Sequence, residues 1–237
     1  MPLVKRMISR RRPYVRRKSK YPVARRPVRK YRPRAPRTYT KISRMPVSDR
    51  LFTKLRYSEG IDWNITLANI LYSYTFQTSI YDPDLTATGH QPLWRDQMAT
   101  MFNRYRVLGI GYKIFWRCTN TAVLTTAYVQ HNSTTTTETN YNTLIERNNS
   151  KRTYLDSNTG ARANYTTGYM SIAKTYGLSK AQFTADDGFD SLIGGNPSKM
   201  AYLILYTSSR SSGAVANCQV ELTYYVEFFD RVNVAGS

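Results

Sequence analysis

The residues best equipped for chemistry in this sequence are basic, and they are concentrated at its amino-terminal end. The 237-residue chain carries a formal charge of +20 at pH 7. Of its 35 Lys and Arg residues, 18 lie in Met1–Arg44, a segment without Asp or Glu that we term the arm. Cations at this density bind phosphates tightly, because each contact releases a counterion from the polyanion. The arm therefore predicts salt-dependent, sequence-independent binding of a nucleic acid.

Prolines and tyrosines are interspersed among the cations of the arm. Proline disfavours helix and favours an extended chain, whereas tyrosine rings can stack on unpaired bases. With few large apolar residues, the arm is expected to be disordered until a polyanion neutralises it. The residues predicted to contact nucleic acid are Arg10, Arg11, Arg12, Tyr14, Arg16, Arg17, Lys18, Lys20, Tyr21, Arg25, Arg26, Arg29, Lys30, Tyr31, Arg32, Arg34 and Arg37. The tyrosines could equally be incidental in a chain with 20 of them.

Two basic clusters of the arm also match the patches that nuclear import receptors recognise. The second cluster spans residues 25–30. The first, which is the candidate import signal, consists of Arg10, Arg11, Arg12, Arg16, Arg17 and Lys18. A plain solvated charge run is the alternative interpretation.

From Met45 to Ser237 the composition becomes that of a globular domain. Its 17 bases nearly balance 15 acids, and its length suits one core. Hydrophobic residues recur with period two, which predicts strands. The predicted strands are residues 51–58, 69–80, 104–118, 122–131, 151–156, 165–175, 200–207 and 218–229. The pattern favours an all-β fold, a single eight-stranded antiparallel jelly roll of two four-stranded sheets, after a disordered basic N-terminal arm.

Two helices are predicted in addition to these strands. A shorter one is expected over residues 178–183. The other is indicated by an apolar stripe at helical spacing, formed by Trp94, Met98, Met101, Phe102 and Tyr105.

Catalytic and metal-binding patterns are missing from the sequence. His90 and His131 lack paired ligand spacing, and no phosphate-binding glycine motif is present. Asp186, Asp187 and Asp190 resemble a calcium loop only loosely, so a solvated turn is favoured. No 18-residue apolar run exists either. We therefore expect no enzyme activity, no cofactor, no bound metal and no membrane insertion.

Three segments of the domain resemble the capsid proteins of small circular single-stranded DNA viruses, the circovirus-like group. They are LFTKLRY at residues 51–57, DQM at 96–98 with MFNRYRVLG at 101–109, and TYYVEF at 223–228. The resemblance implies an icosahedral T=1 shell of 60 copies, whose arms bind single-stranded DNA inside. It also implies import by a host nuclear receptor, and a location in the virion and the host nucleus.

Other classes of protein share this layout of basic arm and β domain. Coat proteins of small RNA viruses and satellite viruses have it, so an RNA genome stays open. A cellular nucleic-acid-binding protein with a basic tail is the remaining alternative, although it would carry a basic face on the domain as well.

The resemblance also implies a sheet of order B-I-D-G. The strand ending at Cys118 would then lie beside the strand starting at Cys218, which could make the two thiols neighbours, although we expect both to be reduced. Lys54, Arg56, Lys113 and Arg117 would lie on this sheet and could extend the cationic lining of the shell. Alternatively, they are ordinary surface charges or pair with Glu221 and Glu227.

Overall fold

The computed structural model describes residues 48–118, 125–155 and 164–232 of the chain. All predicted contact residues of the arm, from Arg10 to Arg37, and the candidate import signal lie outside these ranges. In the described part, no helix is long and apolar enough to cross a membrane.

The strands form two antiparallel sheets. The five-stranded sheet has the order β1-β9-β3-β6, and the short β7 pairs with β3. Its strands are β1 (Leu51–Ile65), β3 (Phe102–Cys118), β6 (Asn164–Ser171), β7 (Asp190–Leu192) and β9 (Ala214–Arg231). The four-stranded sheet has the order β2-β8-β4-β5. Its strands are β2 (Tyr72–Gln77), β4 (Thr125–Asn132), β5 (Ser150–Leu155) and β8 (Tyr202–Ser209). Apart from β7, this is the connectivity of a jelly-roll-like sandwich, and the predicted B-I-D-G order is confirmed.

The predicted count of eight strands in two four-stranded sheets is wrong by one strand. Residues 190–192 pair with Arg104–Arg106 of β3, beyond the point where Gly109 pairs with Ser171 at the end of β6. The edge of β3 that β6 leaves open is thus paired with β7. A three-residue strand is too short to show a hydrophobic period, which explains why no sequence pattern predicted it.

The core lies between the sheets and follows the predicted alternation most clearly on β9. Tyr224 is fully buried, and its hydroxyl donates a hydrogen bond to the carbonyl oxygen of Gln77 at 3.1 Å. Burial raises the pKa of Tyr224 well above its ordinary value. The inward residues of β9 are Cys218, Val220, Leu222, Tyr224, Val226 and Phe228, all buried as predicted. Each large apolar side chain buried in this way contributes about 1.5–3 kcal/mol.

The helices are short. They are α1 (Arg95–Ala99), α2 (Tyr141–Glu146), α3 (Ile172–Thr175) and α4 (Lys180–Ala185). The helix predicted near residues 178–183 is confirmed as α4, which begins with a capping box between Ser179 and Gln182. The longer helix predicted from Trp94 to Tyr105 is wrong. It ends at Ala99, because Phe102 and Tyr105 already belong to β3.

The two cysteines lie where the end of β3 meets the start of β9, as predicted. Cys118 is the cross-strand partner of Ala216, and Cys218 is the partner of Trp116, so the cysteines are offset by two residues. Both are buried thiols. Burial raises the pKa of the Cys218 thiol far above its ordinary value, which keeps it protonated.

Candidate nucleic-acid interface

One side of the five-stranded sheet packs in the core. The other side is turned away from the core and is here termed the outer face, a name that refers to the sheet alone and not to the outside of a shell. Lys54 and Arg56 lie on β1, and Lys113 and Arg117 lie on β3. All four are exposed, and each has a buried residue on at least one side of it along the strand. The structure thus brings together on one face the four domain cations that the sequence singled out.

β9 runs between these two pairs of cations. Lys54 is the cross-strand partner of Tyr225, and Arg56 is the partner of Thr223. On the other edge of β9, Lys113 lies opposite Glu221. Positive charge therefore flanks the centre of the sheet on both sides.

The four cations do not form the ion pairs with Glu221 and Glu227 that were one of the two alternatives, and the alternative of ordinary surface charges stays open. Across the described residues, none of them has a carboxylate oxygen within 4.0 Å. Two of them contact aromatic rings instead. Lys54 Nζ lies 5.1 Å from the centroid of the Tyr225 ring, and Lys113 Nζ lies 4.5 Å from the centroid of the Phe115 ring. Such contacts contribute only about 0.5–1 kcal/mol at exposed sites, so they hold the two ammonium groups weakly.

Glu227, one of the acids expected to pair with these cations, is instead buried with other arginines. Its carboxylate lies 2.8 Å from Arg50 Nη1 and 3.9 Å from Arg106 Nη1. Arg106 also binds Asp190, which pairs with Arg104 as well. Arg106, Asp190 and Glu227 are the buried members of this cluster, which sequence reasoning missed. They are covered because Phe183 of α4 and the segment after it lie over Arg106.

Aromatic residues are the second feature of the outer face that sequence reasoning missed. Tyr165 and Tyr169 of β6 are 60% and 50% exposed. Tyr169 contacts the ring of Tyr225 across β3, and Tyr165 contacts that of Phe115. The available signal was the alternation of Tyr165, Thr167 and Tyr169 on a strand whose opposite side is buried.

The acidic loop after α4 is occupied by the chain's own cations. Asp186 accepts hydrogen bonds from Lys199 Nζ at 2.6 Å and from the backbone N–H of Gly188 at 2.9 Å. The bond from Lys199 is the main reason why the pKa of Asp186 is lowered. Asp190 is taken by the two arginines described above. Within the described ranges, no three acids, histidines or cysteines are grouped as metal ligands.

The two histidines occupy opposite electrostatic environments. Nδ1 of His90 lies 2.9 Å from the carbonyl oxygen of Gln91, and Nε2 lies 3.0 Å from that of Ser58. These acceptors raise the pKa of His90. Burial lowers the pKa of His131 to about 4, assisted by the charges of Lys151 and Lys174. Nε2 of His131 lies 3.1 Å from the hydroxyl of Tyr112.

Comparisons with known proteins found similarity in solved structures alone. No family model and no curated protein matches it. The 60-mer of the BFDV capsid protein is 12% identical, with a TM-score of 0.45, and the match covers 81% of this chain and 100% of that one. The structure of the T=3 Penaeus vannamei nodavirus is also 12% identical, with a TM-score of 0.45, and the match covers 94% of this chain and 65% of that one. A structure of Turnip Yellow Mosaic Virus is 8% identical, with a TM-score of 0.41, and the match covers 79% of this chain and 98% of that one.

Proposed function

We propose that this chain is a structural, non-enzymatic capsid protein, which builds a small icosahedral shell and packages a single-stranded genome through its arm. One observation carries the proposal: a jelly-roll-like sandwich with a nearly neutral charge follows directly on 18 cations without an acid. The sandwich supplies the rigid wall. The arm supplies the charge that a packaged polyanion needs.

The three segments that resemble circovirus-like coats support this proposal because they are neighbours in space. They fall on β1, on α1 with the start of β3, and on β9, which are far apart in the sequence. In the sheet, Leu55 pairs with Tyr224 and Val107 pairs with Val226. The resemblance therefore concerns one continuous part of the fold rather than three separate short matches.

The proposed mechanism is co-assembly of subunits and genome. Sixty arms would carry on the order of a thousand positive charges, enough to neutralise a similar number of phosphates. Subunits that repel one another through their arms would then associate only as the genome neutralises them. The exposed cations Lys54, Arg56, Lys113 and Arg117 would extend this lining from the arm onto the wall.

Size-exclusion chromatography with light scattering tests the proposal on the full chain. We expect a particle of megadalton mass that protects nucleic acid from added nuclease. A stable monomer or dimer without nucleic acid would contradict it. DNase and RNase digestion of the extracted nucleic acid then identifies the genome type. Single-stranded DNA is the expected result, and RNA alone would place the chain with the RNA virus coats.

Nuclear import through the arm is a separate part of the proposal. A fluorescent protein fused to Met1–Arg44 should accumulate in nuclei of cultured cells. Replacing Arg10, Arg11, Arg12, Arg16, Arg17 and Lys18 by Gln should return it to the cytoplasm. Equal nuclear signal from both fusions would refute this assignment.

A further inference from the structure

The open part of the outer face is a regular array, which the register of three strand pairs defines row by row. One row contains Arg56, Thr223, Gly111 and Tyr169, and the next contains Ser58, Glu221, Lys113 and Thr167. A third contains Gly60, Gln219, Phe115 and Tyr165. A row with a cation therefore lies between two rows that each contribute an exposed tyrosine.

Two aromatic pairs stand on this array. The rings of Tyr169 and Tyr225 meet edge to face, with centroids 5.3 Å apart and planes at 84°. The rings of Phe115 and Tyr165 are 6.3 Å apart. Tyr165 and Tyr169 are four residues apart on β6, roughly 13 Å along the strand. The two half-exposed rings thus form separate stacking positions on one flat surface.

A groove opens between the cations of the two flanking strands. It has a volume of about 610 Å³, and its walls include Arg56, Lys113, Tyr225 and Leu93. Gly111 is also among its lining residues, and Glu221 is the one acid there. A groove lined by an aromatic ring and two cations suits a flat base joined to a phosphate.

Charge favours a nucleic acid over a second copy of the chain as the partner of this face. The rows of this face carry more exposed bases than exposed acids. The bases are Lys54, Arg56, Lys113 and Arg117, and the acids in the same rows are Asp62 and Glu221. Two copies packed through this face would bring like charges together, which is unfavourable. A phosphate chain supplies the opposite charge, and its unpaired bases supply partners for the rings.

We propose that the outer face stacks unpaired bases of a single-stranded nucleic acid on Tyr165 and Tyr169, with Lys113 contacting the phosphate backbone that runs between them. This inference rests on the proposed packaging function and adds to it a base-contacting surface outside the arm. The arm would supply most of the charge, whereas the sheet would hold bases. Such a sheet can bind two bases at once.

Binding of a labelled single-stranded oligothymidylate to the full chain at several salt concentrations tests this proposal. The double variant Y165L/Y169L should bind at least tenfold more weakly at each concentration, because stacking on each ring is lost. The slope of log affinity against log salt should stay unchanged, because the arm retains its phosphate contacts. Y154L is the matched control, since Tyr154 is 52% exposed but lies on the other sheet, and its affinity should equal that of the wild type.

Equal affinity of the double variant and the wild type would refute the stacking face while leaving the packaging function intact. A double variant that binds normally but no longer forms particles would also refute it, by assigning the face to subunit contact. Failure of the wild-type chain to bind the oligonucleotide would instead contradict the packaging function itself. Photo-crosslinking of the unmodified chain to an iodouracil-substituted oligonucleotide gives an independent test. The crosslinked peptide should contain Tyr165 or Tyr169, and crosslinks confined to the arm would overturn the proposal.

Discussion

Arg106 and Asp190 form an ion pair that is enclosed by the fold, with Nη2 of the arginine 2.9 Å from Oδ2 of the aspartate. Their side chains are only 6% and 4% exposed. The guanidinium also lies 5.5 Å from the ring of Phe229. The pair links β3 to β7, and it holds the segment after α4 in contact with one end of the outer face.

Removing the acid of this pair should destabilise the fold strongly. Asp190→Ala removes the shorter of the two ion pairs of the buried Arg106 and leaves it only the 3.9 Å contact with Glu227. Breaking a buried pair in this way typically costs about 3–5 kcal/mol. D96A is the control, because the Asp96 side chain is 76% exposed and its mostly buried partner Arg95 keeps a hydrogen bond to the carbonyl oxygen of Ile193. The change should therefore stay within about 1 kcal/mol. Urea unfolding of the dissociated protein, followed by tryptophan fluorescence, measures both. Equal losses in the two variants would contradict the structural role of Asp190.

Acid should weaken the fold through His131. The unfolded chain takes up a proton on this residue near pH 6.5, whereas burial lowers the folded pKa to about 4. Between these values protonation favours the unfolded state, so the free energy of unfolding should fall as the pH is lowered from 6.5 to 4. The unfolding midpoint should depend less steeply on pH across this range in His131→Gln than in the wild type. An unchanged profile would show that His131 is protonated without cost in the folded state.

His90 should act in the opposite direction. Its folded pKa is raised, first by the carbonyl of Gln91 and then by that of Ser58. The stability that it contributes is therefore complete below pH 6.5 and is lost as the pH rises through the folded pKa. The difference in unfolding midpoint between the wild type and His90→Gln should shrink from pH 6 to pH 8. A constant difference would mean that the imidazolium form gives no advantage.

Gly109 and Gly111 should respond differently to an added methyl group. A Cβ at Gly109 would lie 2.5 Å from the carbonyl oxygen of Met170, whereas at Gly111 the nearest atom, Cε2 of Tyr225, is 3.4 Å away. Overpacking against backbone costs about 1–3 kcal/mol, so G109A should unfold at clearly lower urea concentration than G111A. The same urea titration measures both, and the reverse order would contradict the close approach of β6 to β3 at Gly109.

The fold could be predicted from the sequence where each strand has one buried and one solvated side, as on β9. The prediction failed from Trp94 to Tyr105 because α4 and its following turn cover the start of β3. Tyr105, Arg106 and Val107 are therefore buried in succession, and this removes the alternation that identifies a strand.

Only the exposed cations of the candidate site could be predicted from the sequence, because the rest of the site depends on contacts between segments that are distant in sequence. Lys54, Arg56, Lys113 and Arg117 could be assigned to one face, since each alternates with core residues. The burial of Arg106 and Glu227 depends on the segment that contains Asp190, which is 84 residues from Arg106 in sequence, so no local pattern revealed it. Tyr165 and Tyr169 were missed because aromatic residues on a strand usually indicate core, and only the register shows that these two face outward.

Packaging through the arm is tested most directly by comparing the nucleic acid held by the full chain with that held by a chain lacking Met1–Arg44. Both proteins are expressed in parallel, treated with nuclease and analysed for particle mass and for the ratio of absorbance at 260 and 280 nm. We expect nucleic-acid-filled particles from the full chain. The shortened chain should give a folded domain whose particles are empty or unstable. Equal nucleic-acid content in the two preparations would contradict packaging through the arm.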